Sequence, residues 1–226
     1  MSNTILVVAA HSDDEALGCG GTIAKHIAQG DQVTVAFMTN GVASRLDTPE
    51  HNTNATKRES AAQLALKALG VSNFHQFDFP DNKMDTVALL EVTQAIESVI
   101  SACKPDTIYT HFGHDLNIDH RITHKAVMTA CRPQSWSSVK KILSFEVLSS
   151  TEWNSPSINA FQPHYIVDIS NYWNKKLAAL KCYEDEMRDF PHSRSYQCVE
   201  ALAILRGATH GFEKAEAFFV ERILDV

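Results

Sequence analysis

Apolar and polar positions fall into two alternating kinds of block. Residues 4–10 form an almost unbroken apolar run, the pattern of a parallel strand buried on both faces. A helical stretch follows over 16–29, closed by Gly30. The same alternation continues with a strand at 32–39, a polar loop at 40–55, a helix at 57–69 ending at Gly70 and an extended segment at 74–79. A helix at 86–102 stops before Lys104-Pro105 and feeds a strand at 107–112; a helix at 119–131 and a strand at 141–148 come next. Beyond the Ser-, Asn- and Pro-containing loop 149–162, the pattern predicts a strand at 165–169, helices at 172–187 and 196–207, and an extended tail at 218–223. Strands alternating with helices predict an α/β fold with a doubly wound, Rossmann-like, mostly parallel sheet flanked by helices. The 226 residues suit a single domain, 1–226. The loops 40–55 and 149–162 are long and polar, and are expected to form pocket walls or lids.

The candidate chemistry lies where strands end. The first strand runs into His11-Ser12-Asp13-Asp14-Glu15, and in an open α/β sheet ligands bind in the crevice beyond the carboxyl ends of the strands. A single aspartate there could cap the next helix. Three carboxylates beside an imidazole, however, repel one another unless a cation neutralises them, so a divalent metal site is expected. The strand at 107–112 leads into a second polar burst holding His111, His114, Asp115, Asp119, His120 and His124. Neighbouring parallel strands would bring both bursts to one edge. His120 and His124 share a helical face, but no glutamate follows His120 to make H-E-x-x-H, and His124 reads as a helix-surface histidine in preference to a ligand. Gly18, Gly20 and Gly21 lack the final glycine of a dinucleotide fingerprint, Ile23 standing in its place, and are expected to let the helix pack closely on the sheet.

The run Ala10-His11-Ser12-Asp13-Asp14-Glu15, followed by Gly18-Cys19-Gly20-Gly21-Thr22, resembles the opening motif of the PIG-L/LmbE family of zinc-dependent N-acetyl-sugar deacetylases, with Ser12 replacing a proline. Residues 114–121 resemble the family's second metal motif, which ends in Asp-His. Further similarity runs through Leu69-Gly70-Val71, residues 79–85, Arg206-Gly207 and residues 215–218. The resemblance implies that His11, Asp14 and His120 hold Zn2+ or another divalent transition metal, and that Asp13 is the general base. Glu15 is expected to cap the helix or support the ligand shell, and Asp119 to orient a ligand histidine or its replacement. Arg58 matches a family arginine that faces the pocket, or is a solvated first-turn side chain, and Arg194 resembles a late family segment that contacts sugar or phosphate. Asp81 is a substrate contact or a turn former. Where the family carries a histidine this chain has Asn117, whose amide could donate to an oxyanion. If an imidazole is required, His114 is the nearest in the loop, with His192 and His210 as alternatives.

Composition narrows the partners. A net charge of −7 argues against nucleic acid or an anionic membrane surface. No apolar stretch approaches the ~18 residues of a membrane span, and Met1-Ser2-Asn3 enters the first strand without the features of a signal peptide. Five cysteines without a C-x-x-C pair suit reduced thiols and a cytoplasmic setting. The expected function is removal of the acetyl group from a small N-acetylated sugar or sugar conjugate. Hydrolysis of another amide, such as a glucosaminyl-malate conjugate, and non-catalytic carbohydrate binding on the same fold remain open. The family resemblance also implies a possible homo-oligomer.

Overall fold

The computed structural model describes residues 2–39, 51–155 and 157–225, and for 51–56 the backbone alone. The strands are β1 (Thr4–Ala9), β2 (Gln32–Thr39), β3 (Asn73–Phe79), β4 (Thr107–His111), β5 (Lys141–Phe145), β6 (Tyr165–Asp168) and β7 (Ala215–Ile223). The helices are α1 (Asp14–Ala28), α2 (His51–Leu69), α3 (Leu89–Cys103), α4 (Ile118–Ala130), α5 (Trp173–Cys182) and α6 (Tyr196–Ala208). All strands join one sheet in the order β3-β2-β1-β4-β5-β7-β6. The five from β3 to β5 are mutually parallel, while β7 lies antiparallel to both β5 and β6. The expected doubly wound α/β sheet is present, with an antiparallel edge that local pattern does not reveal.

Side-chain alternation along the central strands builds two apolar layers. Ile5, Val7 and Ala9 of β1 enter the core shared with α1, α2 and α5, whereas Leu6 and Val8 point into the layer under α3 and α4. Because β1 is covered on both faces, its run is continuously apolar.

Several boundaries differ from the sequence expectation. Helix α1 starts at Asp14 rather than residue 16, because Asp14 and Glu15 occupy its first turn. Helix α2 begins at His51, ahead of the predicted 57. The predicted helix 172–187 stops at Cys182 and continues as a 3-10 turn, Glu184–Glu186, and the predicted strand 141–148 stops at Phe145. Most of the predicted 40–55 pocket wall lies outside the described residues.

The glycines of α1 are used for close approach. A Cβ on Gly18 would lie 2.3 Å from Phe145 Cδ2, and one on Gly21 would lie 2.8 Å from the Ile169 side chain. Helix α1 breaks at Cys19, where φ is −146°. Glu216 of β7 caps the restarted helix, accepting from Gly21 N at 2.9 Å and Thr22 N at 2.7 Å. Buried Lys176 of α5 neutralises Glu216 at 2.6 Å and donates to Leu17 O at 2.8 Å, so neither charge is buried unpaired.

The chain winds outward from β1 in both directions, through β2 and β3 on one side and β4 and β5 on the other. The carboxyl ends of β1 and β4 therefore meet at the switch point of the sheet, where an α/β fold leaves a crevice.

Candidate metal centre and active-site cleft

The turn after β1 delivers residues 11–13 to this crevice and the first residue of α1 delivers Asp14, while the loop after β4 brings residues 112–117 and the first turn of α4 brings Asp119 and His120. Asp13 sits at φ 125° and ψ −28°, a conformation that costs a non-glycine residue about 1–3 kcal/mol. Its backbone N–H is held by Glu15 Oε2 at 3.0 Å, and Tyr183 Oη donates to Glu15 Oε1 at 2.8 Å. The tight turn sends the carboxylates of Asp13 and Asp14 to different partners.

Asp14 Oδ2 lies 3.1 Å from His11 Nδ1 and 3.3 Å from His120 Nε2, and those two nitrogens are 3.3 Å apart. Tetrahedral bonds of about 2.0–2.1 Å put donor atoms about 3.3 Å from one another, so these three atoms have the spacing of a zinc-type site with one position open. Both imidazoles are backed by carboxylates on their other nitrogens. His11 Nε2 meets Asp119 Oδ2 at 3.0 Å and Asp81 Oδ1 at 3.1 Å, while His120 Nδ1 meets Asp115 Oδ1 at 3.1 Å. Such outer carboxylates fix ring orientation and make metal-binding histidines more basic. Asp115 also accepts from Ser150 Oγ, and from Thr151 Oγ1 at 2.6 Å; Asp119 accepts from Asn82 N at 2.6 Å and Met84 N at 3.0 Å.

The electrostatics call for positive charge between these groups. Burial works against protonation of His11, yet Asp119, Asp14 and Asp81 outweigh it and hold the imidazole well above its ordinary range. Burial likewise opposes the charge on His120, but Asp14 and Asp115 raise it to about 9. A dication between them would satisfy the same carboxylates once these protons leave. His111, fully buried at the end of β4, behaves oppositely: burial and the neighbouring His120 charge push it well below its ordinary value. Neutral His111 accepts from Ala10 N through Nε2 at 2.8 Å and stacks on His120 with centroids 3.9 Å apart.

Asp13 lines the cleft beside this triad. Burial pushes its carboxyl up to about 6, against the Arg194 guanidinium whose Nη1 lies 2.9 Å from Oδ2. The cleft has a volume of about 210 Å³, and every side chain lining it is polar. Arg58 also lines it and is paired with Glu186, while Arg194 Nε donates to Ser149 Oγ at 2.9 Å.

Of the residues expected from sequence, His11, Asp13, Asp14, Arg58, Asp81, Asn117, His120 and Arg194 line this one cleft, and Asp119 lies directly behind His11. Asp119 thus meets His11, whereas the partner of His120 is Asp115, to which sequence reasoning gave no role. Asn117 caps α4, its Oδ1 accepting from Asp119 N at 2.8 Å, and one of its amide hydrogens goes to Asn82 Oδ1 at 3.2 Å. His114 does not line the cleft; it belongs to a separate cavity beyond the β4 loop. His124 bonds Glu221 at 3.2 Å and forms no pair with His120. His111, Glu186 and Tyr183 were also missed. For His111 and Asp115, membership of the polar burst was the available signal; Glu186 and Tyr183 carried none.

Fold and site together define an α/β protein with a divalent-cation-ready cleft at its switch point. The family model of GlcNAc-PI de-N-acetylase, PIG-L, matches residues 6–131, which carry both loops of the donor triad. An uncharacterized deacetylase of Escherichia coli is 29% identical over 183 residues, covering 78% of this chain and 88% of the relative. A diacetylchitobiose deacetylase of Thermococcus kodakarensis is 25% identical over 223 residues, covering 94% of this chain and 80% of the relative. A crystal structure of a 4-carboxy-2-hydroxymuconate hydratase from Pseudomonas putida shares the fold, with a TM-score of 0.78 at 21% identity over 100% of this chain and 99% of that one. The chain belongs to the PIG-L family. Among the described residues, no helix is long and apolar enough to cross a membrane.

Proposed function

We propose that the protein is a metal-dependent hydrolase that removes the acetyl group from an N-acetylated sugar or sugar conjugate. The observation that carries this reading is the division of labour at residues 13 and 14: Asp14 faces the two histidines, while the adjacent Asp13 faces the open cleft. The all-polar lining supports a polyhydroxylated ligand, and relatives in the family are deacetylases of such compounds.

His11, Asp14 and His120 would hold Zn2+ or another divalent transition metal. When bound, the ion supplies a Lewis acid that acidifies water and polarises an amide carbonyl. Asp13 takes the proton from the attacking water and passes it to the departing amine. Arg194 keeps Asp13 anionic and oriented. The amide hydrogen that Asn117 does not spend on Asn82 donates to the developing oxyanion, in the position where the family has an imidazole. Arg58, Asp81 and Arg194 contact the sugar.

The test is acetate release by zinc-loaded protein from free, nucleotide-linked and lipid-linked N-acetyl sugars and from glucosaminyl-malate conjugates. Release that requires both metal and Asp13 is expected. A zinc-loaded wild type inert toward the whole panel would overturn the reading.

A further inference from the structure

A second cavity lies on the far side of the 112–117 loop and shares no lining residue with the cleft above. Its volume is about 450 Å³. Adjacent residues of this loop serve the two places: Asp115 turns to His120, while His114 lines the second cavity with Asn159.

The walls have distinct characters. Half-buried Phe219 provides an aromatic side that buried Phe112 and His164 back at 5.5 and 5.0 Å, with Phe161 behind Phe112 at 5.2 Å. The polar side consists of planar groups, the amides of Asn159 and Gln162, the imidazoles of His114 and His124, and the Glu221 carboxylate. Glu221 is fixed as an acceptor between His124 Nε2 at 3.2 Å and Ser144 Oγ at 2.9 Å. Gly113 makes room for the His124 ring, since a Cβ there would lie 2.6 Å from His124 Cε1. Among the described residues, no lysine or arginine lines the cavity, so nothing in it recommends a phosphate or carboxylate ligand.

We infer that this cavity is a second, non-catalytic binding site for an uncharged pyranose ring. One face of a pyranose is a row of C–H groups that packs on aromatic carbon, and its rim is hydroxyls that pair with amides and a carboxylate. The choice of an N-acetylated probe rests on the function proposed above; the cavity chemistry does not.

The experiment is a titration of the uniformly 15N-labelled full chain with N-acetylglucosamine, diacetylchitobiose and inorganic phosphate, followed by the backbone amide spectrum. Saturable shifts at Gly113, Ala160 and Phe219 are expected with both sugars and not with phosphate. If a free monosaccharide is the ligand, both sugars saturate alike; if a chain is, the disaccharide binds more tightly. Asn159→Ala with Gln162→Ala, both on an exposed loop, should weaken binding there by about tenfold or more and leave shifts at residues 12–15 in place. Sugar shifts confined to residues 12–15, shifts at the cavity that survive the double substitution, or phosphate binding in the cavity would each overturn the inference. Acetate release reads the cleft and these amides read the cavity, so failure of one is distinguishable from failure of the other.

Discussion

Arg194 Nη1 lies 2.9 Å from Asp13 Oδ2, across a cleft that also contains the His11, Asp14 and His120 donor atoms. Burial favours the neutral acid of Asp13 and leaves it at about 6 even with the guanidinium beside it. The pair is therefore more than a surface bridge: it holds a buried group in the state a base requires.

Removing the guanidinium should be visible in a pH profile. Arg194→Ala leaves Asp13 buried without its cation, and its carboxyl rises further. Because the base acts as the anion, the acidic limb of kcat/KM moves to higher pH, by about one unit or more. At pH 7 a one-unit rise from about 6 lowers the anion about twofold and a two-unit rise about tenfold, with partial recovery in Arg194→Lys, which restores charge without the planar fork. A uniform loss with an unmoved acidic limb would show that Arg194 only contacts substrate.

Asp13→Asn separates chemistry from metal binding. The substitution is nearly isosteric and leaves the three donor atoms untouched, so metal content measured by elemental analysis should match wild type. Acetate release should fall by about 10²–10⁴-fold, the usual contribution of a positioned base. Asp14→Ala should instead lose the metal. Equal metal loss in both variants would place Asp13 among the ligands.

How much of this site was legible in the sequence follows from how each contact is made. The meeting of residues 11, 14 and 120 could be anticipated, because two apolar runs ending in polar bursts become adjacent parallel strands, and β1 pairs with β4 in the register Ile5 to Thr107. The chain direction then brings both bursts to one edge. That Asp115 rather than Asp119 backs His120 was not legible. Both aspartates precede that histidine within about one and a half turns, and the choice is made by Asn82 N and Met84 N, which claim Asp119 from a distant loop. His114 was the expected source of an imidazole, if one is required, because it shares the loop with Asn117. Tying Asp115 to His120, Ser150 and Thr151 commits that loop, and His114 faces the other cavity. The insertion of β7 between β5 and β6 depends on strand pairing across the sheet, about which an extended tail carries no local signal.

Metal affinity should rise with pH. The carboxylates hold His11 above its ordinary range and His120 at about 9, so below that value a proton occupies a nitrogen the ion needs. Binding must displace it, and affinity for Zn2+ should increase by about tenfold per pH unit for each proton released, between about pH 6 and 8. Competition with a chromophoric chelator across that range measures the slope, and calorimetry in buffers of differing ionisation heat counts the protons. A flat affinity would mean that the triad is already deprotonated without metal.

Glu15 offers a stability measurement independent of turnover. Its side chain is fully buried, and burial raises the carboxyl from its ordinary 4.5 to about 8 despite the hydrogen bond from Tyr183. Between those values the folded chain holds a proton that the unfolded chain has released. Stability must then fall as pH rises from about 4.5 to about 8, at up to roughly 1.4 kcal/mol per unit. Glu15→Gln removes the titration while keeping an oxygen to accept from Asp13 N and an amide to face Tyr183 Oη. In chelator, its melting temperature should stay near wild type at pH 5 and exceed it by several degrees at pH 8, since about 1 kcal/mol moves a chain of this size by roughly 2–4 °C. Scanning calorimetry at the two pH values decides it: a variant less stable than wild type at pH 8 would mean that Glu15 is ionised in the fold and that its charge contributes to holding the Asp13 turn.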